Sequence, residues 1–449
     1  MKNFTLILLL FVIAVPHSMS AQNVATDVSG YRFVPLYLDQ VMRIVQEQGV
    51  GGVVSPAIRT CDIPSKQKEA RALLESVPLT ISSDTYRYTE RRAGSMITFR
   101  DPEKTIALAL MDLQTCVIET THITKRGNQL IAEAGYVIEP IARSNGIQWN
   151  NWATEFAIRA PLQRVVILLK YPYVREERVA RTVTTRGKKS RIVYDTKNVV
   201  VPIFYTPYSR QLHTPEIVQG GIGYLSQLAA RAYADLKERG VVSLSVPDSL
   251  VADVSALKME YVMRLAPIEH MDLTEFLLDP AWTSDRIHVV IGVNGDASAT
   301  YTCSKASACG LMQYTKGTYD FIRKLYPHAG INPDFDAGAR DQFNAMKAAT
   351  LLHDYNASRL VSVFGEEILS DPNLEEYLAA AYNTGIGRVL SVVTIAKNKD
   401  LLDWTDGKGT KKATTLLPET KGYIAKLRYL RDQWMKVPLA QVIPETPDN

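Results

Sequence analysis

A change of hydrophobic period near residue 245 constrains this chain more than any other feature. Before it, apolar residues gather in short runs of strand type between two helical stripes, and after it they recur at helical spacing. Val165 to Leu169 is one such run, and the segments 179–185 and 191–201 flank Arg186-Gly187-Lys188-Lys189 as a hairpin with a basic tip. That tip reads as a solvated turn, with an electrostatic contact to an anionic polymer as the alternative. The two stripes are Leu38, Val41, Met42 and Val45, and Leu225, Leu228, Ala229, Ala232 and Leu236, the second with Gly240 placed as its C-terminal cap. Beyond the change, helices are expected over 255–265, ending near Pro267 to His270, over 341–355 with Phe343, Met346, Ala349 and Leu352, and on the stripe Leu374, Tyr377, Leu378 and Ala381, which Gly385 stops. The expected class is α+β overall: a mixed α/β domain of unknown role over 22–245, then a mostly α domain over 246–449.

The first residues set the expected compartment. A basic start, Met1-Lys2-Asn3, leads into an apolar run over 4–15, about a dozen residues, which suits a signal peptide and is too short to span a bilayer. Pro16 breaks the run, and Ser18, Ser20 and Ala21 offer a cleavage point, so 1–21 is expected to be removed. No Cys stands at that junction, which disfavours a lipid anchor. No later segment is apolar for long enough to span, so the mature protein is expected to be periplasmic or secreted, without a transmembrane segment. Cysteine usage agrees with export. An oxidising compartment favours pairing the four, and Cys303–Cys309 and Cys61–Cys116 are the expected pairs because each lies within one proposed domain. Buried free thiols are the alternative for Cys61 and Cys116. The net charge of +4 would tolerate an anionic cell wall and does not argue for nucleic acid. No CxxC pair, Walker A loop, dinucleotide fingerprint or HExxH occurs, so neither a metal nor a cofactor is implied.

Three motifs in the helical region carry a resemblance. Ser304 to Gln313 ends in Gly310-Leu311-Met312-Gln313, with Thr318 following. Ala380-Ala381-Tyr382-Asn383-Thr384-Gly385 is followed by Arg388-Val389, and Leu417-Pro418-Glu419-Thr420-Lys421-Gly422-Tyr423-Ile424 closes the set. In that order they resemble the S-x-x-G-A-x-G-L-M-Q, A-A-Y-N-x-G-x-x-x-V and P-x-E-T-x-x-Y-V motifs of the soluble lytic transglycosylases, enzymes of the goose-type lysozyme fold that cleave peptidoglycan glycan strands. Ser307 stands where that family usually has Gly, and Lys316 where it has Pro. The resemblance implies a lysozyme-like domain. In it Gly310 lets the backbone approach the sugar, Met312 packs against it, Gln313 and Asn383 hold it, Tyr423 borders the groove, and Tyr382 orients the catalytic acid.

The acid itself is displaced. The family places Glu-Ser a short way before GLMQ, where this chain has Asn294, Gly295 and Asp296, and no Glu lies between Glu275 and Gly310. Glu269 is the expected acid, because it follows an apolar helix as the family's acid does, and related membrane-bound transglycosylases carry a long insertion at this point. Asp296 and Glu275 are alternatives. Asp296 is a methylene shorter, and a misplacement of about 1 Å can cost on the order of a hundredfold in rate.

The resemblance implies one carboxyl group acting first as acid, then as base, to cut between N-acetylmuramic acid and N-acetylglucosamine and leave a 1,6-anhydro end. Two other functions stay open. One is a catalytically silent peptidoglycan-binding or envelope-scaffold protein, and the other is a muramidase that uses water. The mixed domain is expected to position the enzyme on the wall or on an envelope protein partner.

Overall fold

Two hydrophobic patterns sort into a sheet and a helical body in the computed structural model, which describes residues 61–434 other than 93–94, 127–128, 144–145, 148–154, 184–190, 305 and 412–413. The expected signal peptide, the stripe of Leu38 to Val45 and the expected basic hairpin tip lie outside the described residues. Helix α1 (Ile63–Glu75) precedes strands β1 (Ile81–Arg92), β2 (Ser95–Asp112), β3 (Ile118–Arg126), β4 (Gln129–Ala132), β5 (Val137–Pro140), β6 (Ala142–Arg143), β7 (Gly146–Ile147), β8 (Phe156–Ala160), β9 (Arg164–Val183) and β10 (Arg191–Tyr205). Helices follow: α2 (Pro215–Glu238), α3 (Met259–His270), α4 (Leu273–Leu278), α5 (Pro280–Asn294), α6 (Lys316–Leu325), α7 (Phe335–Arg340), α8 (Gln342–Phe364), α9 (Leu374–Thr384), α10 (Ile386–Asn398) and α11 (Pro418–Trp434). Strands first and helices after make this an α+β protein.

The main sheet is antiparallel, in the order β10-β9-β2-β3-β4, with β1 paired to the first half of β2. The second half of β2 is covered on both faces. Ile106, Leu108 and Leu110 point into one apolar cluster, and Ala107, Ala109 and Met111 into another. Alternate side chains leave a strand on opposite faces, so a strand buried on both sides reads as an unbroken apolar run. The run Val165 to Leu169 in β9 adds a bulge: Ala109 pairs with Leu168 but Leu110 with Val166, so Ile167 and Leu168 face the same cluster. Strands β9 and β10 pair in register from Arg191 opposite Val183 to Tyr205 opposite Leu169, as the hairpin reading expects. Lys170 is buried and donates to the carbonyls of Leu74, Glu75 and Val77, which caps the C-terminal end of α1 against the sheet.

The helical core reaches further back along the chain than residue 245. Leu225, Leu228, Ala229, Ala232 and Leu236 of α2 pack with residues of α3, α5 and α8. Gly240 ends this helix as expected, with φ at +62°, its amide bonded to the Lys237 carbonyl and the Val241 amide to that of Leu236. Helices α2 and α5 touch through glycines. A Cβ on Gly221 would lie 2.0 Å from the His288 carbonyl oxygen, and one on Gly292 would lie 2.5 Å from that of Ile217. The helix expected over 255–265 begins later, at Met259, because 254–257 form a turn with the Leu257 amide on the Val254 carbonyl, and it runs on to His270. Glu269 therefore lies in its last turn. Both expected disulfides are present, Cys61–Cys116 and Cys303–Cys309. Among the described residues, no helix is long and apolar enough to cross a membrane.

Candidate active site

Helix α3 buries Val262, Met263, Leu265, Ala266 and Ile268, which fixes the rotation that turns Glu269 away from the core. Glu269 is partly buried and lines a cleft of about 410 Å³. One wall is the end of α3 with α4 and α5, and another is the segment 298–304 with Leu311 and Gln313. Tyr205, at the end of β10, and Tyr208, just past it, close a third side. Tyr423 of α11 donates its hydroxyl to Glu269 Oε1 at 2.8 Å.

Burial pushes the Glu269 carboxyl up from its ordinary 4.5 to about 7. The hydrogen bond from Tyr423 and the positive charge of Lys426 pull the other way, and the charge of Glu419 adds to the rise. A carboxylic acid with its midpoint near neutrality can give up a proton and take one back, which is what general acid–base chemistry requires. His270 next to it is held below its usual range by burial and bonds through Nε2 to the Leu311 carbonyl at 2.9 Å.

The GLMQ segment is a tight turn. Cys309 and Tyr314 exchange both backbone bonds, at 2.9 and 3.1 Å, and the Cys303–Cys309 bridge ties the turn to the preceding strand-like segment. Gly310 has φ at +79°, and a Cβ there would sit 1.8 Å from the Ala339 carbonyl oxygen. Its lack of a side chain thus serves close packing on the end of α7. Met312 is also placed differently from expectation: its side chain is fully buried in the helical core. Its carbonyl accepts the Tyr382 hydroxyl at 2.5 Å. Tyr382 therefore holds the turn, and the role of orienting Glu269 passes to Tyr423. Tyr423 does not border the groove, since it is 4% exposed and packed between α11 and α3.

Gln313 does line the cleft, with its Nε2 donating to the Gly310 carbonyl at 2.7 Å. Asn383 does not line it. Its Oδ1 accepts from the Thr420 hydroxyl at 2.8 Å and joins the end of α9 to α11. Asp296 is exposed in the turn after α5, outside the cleft, and accepts from the Tyr224 hydroxyl at 2.5 Å. The alternative acid is thus in the wrong place: the bond to Tyr224 holds its carboxylate at the surface, away from the cleft lining. Glu275 does line the cleft, but it is paired with the Arg286 guanidinium.

The structure thus brings Glu269, Gln313 and Glu275 into one cleft, backed by Tyr423 and Tyr382. The partnership of Tyr423 with Glu269 and the contribution of Tyr205 and Tyr208 were not legible in the motifs. The three-residue spacing of Tyr423 and Lys426, a polar pair on one face of an otherwise apolar stripe, was the one available signal. Comparison of the chain with protein-family models, with curated proteins and with solved structures gives no match.

Proposed function

We propose that this protein is a peptidoglycan lytic transglycosylase with Glu269 as its single acid and base. The observation that carries the reading is the setting of Glu269: a carboxyl whose midpoint stands near 7, open to a cleft, hydrogen-bonded by Tyr423 and set against the GLMQ turn. The order of the three motifs supplies the substrate class. In the reaction, Glu269 protonates the oxygen linking N-acetylmuramic acid to N-acetylglucosamine, and the C1–O bond breaks. The carboxylate left behind takes the proton of the muramyl 6-hydroxyl, and that oxygen bonds to C1. The acid is regenerated and no water is consumed, so the second carboxylate of an ordinary glycosidase is not needed. Gln313 holds the sugar at the cleft, while Tyr382 keeps the GLMQ turn in place.

Peptidoglycan as substrate places the protein in the periplasm or outside the cell, and the two disulfides fit an oxidising compartment. The test is digestion of purified sacculi by wild type and Glu269→Gln, with products read by mass spectrometry. Release of 1,6-anhydromuramyl ends by wild type alone supports the reading. Reducing ends in their place mean a hydrolase. Binding to sacculi without release by either protein means a silent wall-binding protein.

A further inference from the structure

Helix α11 presents two side chains to the end of α3. Tyr423 donates to Glu269 Oε1 at 2.8 Å. Lys426, three residues on, donates to the Met271 carbonyl at 2.6 Å and to the Ile268 carbonyl at 3.4 Å. Residues three apart share a helix face, so one face of α11 brackets the turn that holds Glu269. The last carbonyls of a helix have no partner within it and carry its negative end, which suits a cation. Lys426 is only 8% exposed, so water reaches its ammonium group poorly, and the carbonyls it binds lie on either side of the acid in sequence.

We infer that Lys426 is a positioning residue for Glu269, fixing the backbone on both sides of it and placing a buried positive charge at the turn that carries the acid. The inference rests on Glu269 being the acid of the reaction proposed above. The groups around Glu269 are Tyr423, Lys426 and Glu419 from α11, Tyr382 from α9, Tyr314 from the GLMQ turn, and its neighbours His270 and Asp272, with Glu155 and the Glu275–Arg286 pair lining the same cleft. The tyrosines are held neutral by burial, as is His270. Glu419 opposes ionisation of Glu269, and Lys426 favours it. When Glu269 gives its proton away, the ammonium group of Lys426 stabilises the carboxylate that forms. Burial lowers the affinity of Lys426 for its own proton, while Glu269, Asp272 and Glu419 raise it.

The experiment uses the full chain with Lys426→Met and Lys426→Gln. The Gln variant keeps a donor for the Met271 carbonyl but loses the charge, so it decides the matter alone if the Met variant does not fold. The Glu269 carboxyl is titrated by infrared difference spectroscopy, with Glu269→Gln as the blank. The expected result is a midpoint raised by about one unit in both variants. In sacculus digestion, kcat is expected to fall about tenfold or more with KM nearly unchanged. A midpoint equal to that of wild type in the folded variants overturns the inference. The titration reads the carboxyl and not turnover. An unmoved midpoint therefore sinks the role of Lys426 alone, whereas a wild type without glycan cleavage sinks the proposed function and, with it, the catalytic meaning of a midpoint that does move.

Discussion

Replacing Glu269 by Gln tests the electrostatics of the site without relying on any substrate. The carboxyl ionises at about 7 in the folded chain against an ordinary 4.5. The folded protein therefore holds this proton more tightly than the unfolded chain does. The stability that this gives is fully present below pH 4.5 and is lost as the pH rises through the folded midpoint near 7. At about 1.4 kcal/mol per unit, the loss reaches about 3 kcal/mol, and cleft water reaching the carboxyl brings the working figure nearer 2 kcal/mol. Gln has nearly the same shape, still accepts the Tyr423 hydroxyl through its Oε1, and does not titrate. In urea unfolding from pH 4 to pH 8, with the disulfides intact, the variant is expected to gain about 2 kcal/mol on wild type, all of it between pH 4.5 and 7. Other titrating groups cancel in the difference between the two proteins. A difference that stays level across that range would mean that Glu269 ionises like any surface glutamate, and the argument for it as an acid would fall.

Three further outcomes are expected. Tyr423→Phe removes a hydrogen bond that favours the ionised carboxylate, so the Glu269 midpoint should rise by about one unit in the same infrared titration. Gly310→Ala should cost about 3 kcal/mol or more in urea unfolding, because the residue needs φ at +79° and its Cβ would meet the Ala339 carbonyl oxygen at 1.8 Å. Removing Cys61–Cys116 by a double Cys→Ala change should cost more than removing Cys303–Cys309: the first closes a separation of 55 residues and the second one of 6, which loop entropy puts at about 4 against 2 kcal/mol.

Periodicity made the α+β class legible, because each pattern has a local cause. The stripe Leu225 to Leu236 could bury itself only as a helix, and the apolar run at Val165 marked a strand, which the fold then covers on both faces. The site was legible only in part. Glu269 lay at the end of an apolar helix, and that helix does carry it to the cleft. What the motifs could not show was direction. Met312 and Gly310 look like ligand-facing residues in sequence, yet one fills the core and the other lets α7 approach. Tyr423 takes the orienting role expected of Tyr382, and Tyr382 holds the GLMQ turn instead, because the partner of each hydroxyl depends on where α9 and α11 pass, which is a long-range property. Residue 245 marked a change of pattern but not the limit of the helical core, since α2 belongs to that core and a periodicity cannot say which neighbour a helix will choose.

The crossing of α2 on α5 bears on how this protein can be divided or inherited. Five apolar side chains of α2 lie in the core that also supports α3, and two tyrosines at and just past the end of β10 form a wall of the cleft. A fragment starting at residue 246 would carry all three motifs and Glu269 yet present an open, greasy flank where α2 had been. Such a piece should aggregate or be degraded. Recombination that swapped everything before residue 246 would therefore deliver a broken enzyme, and exchange would succeed only at a joint upstream of α2 that left the tyrosine wall intact.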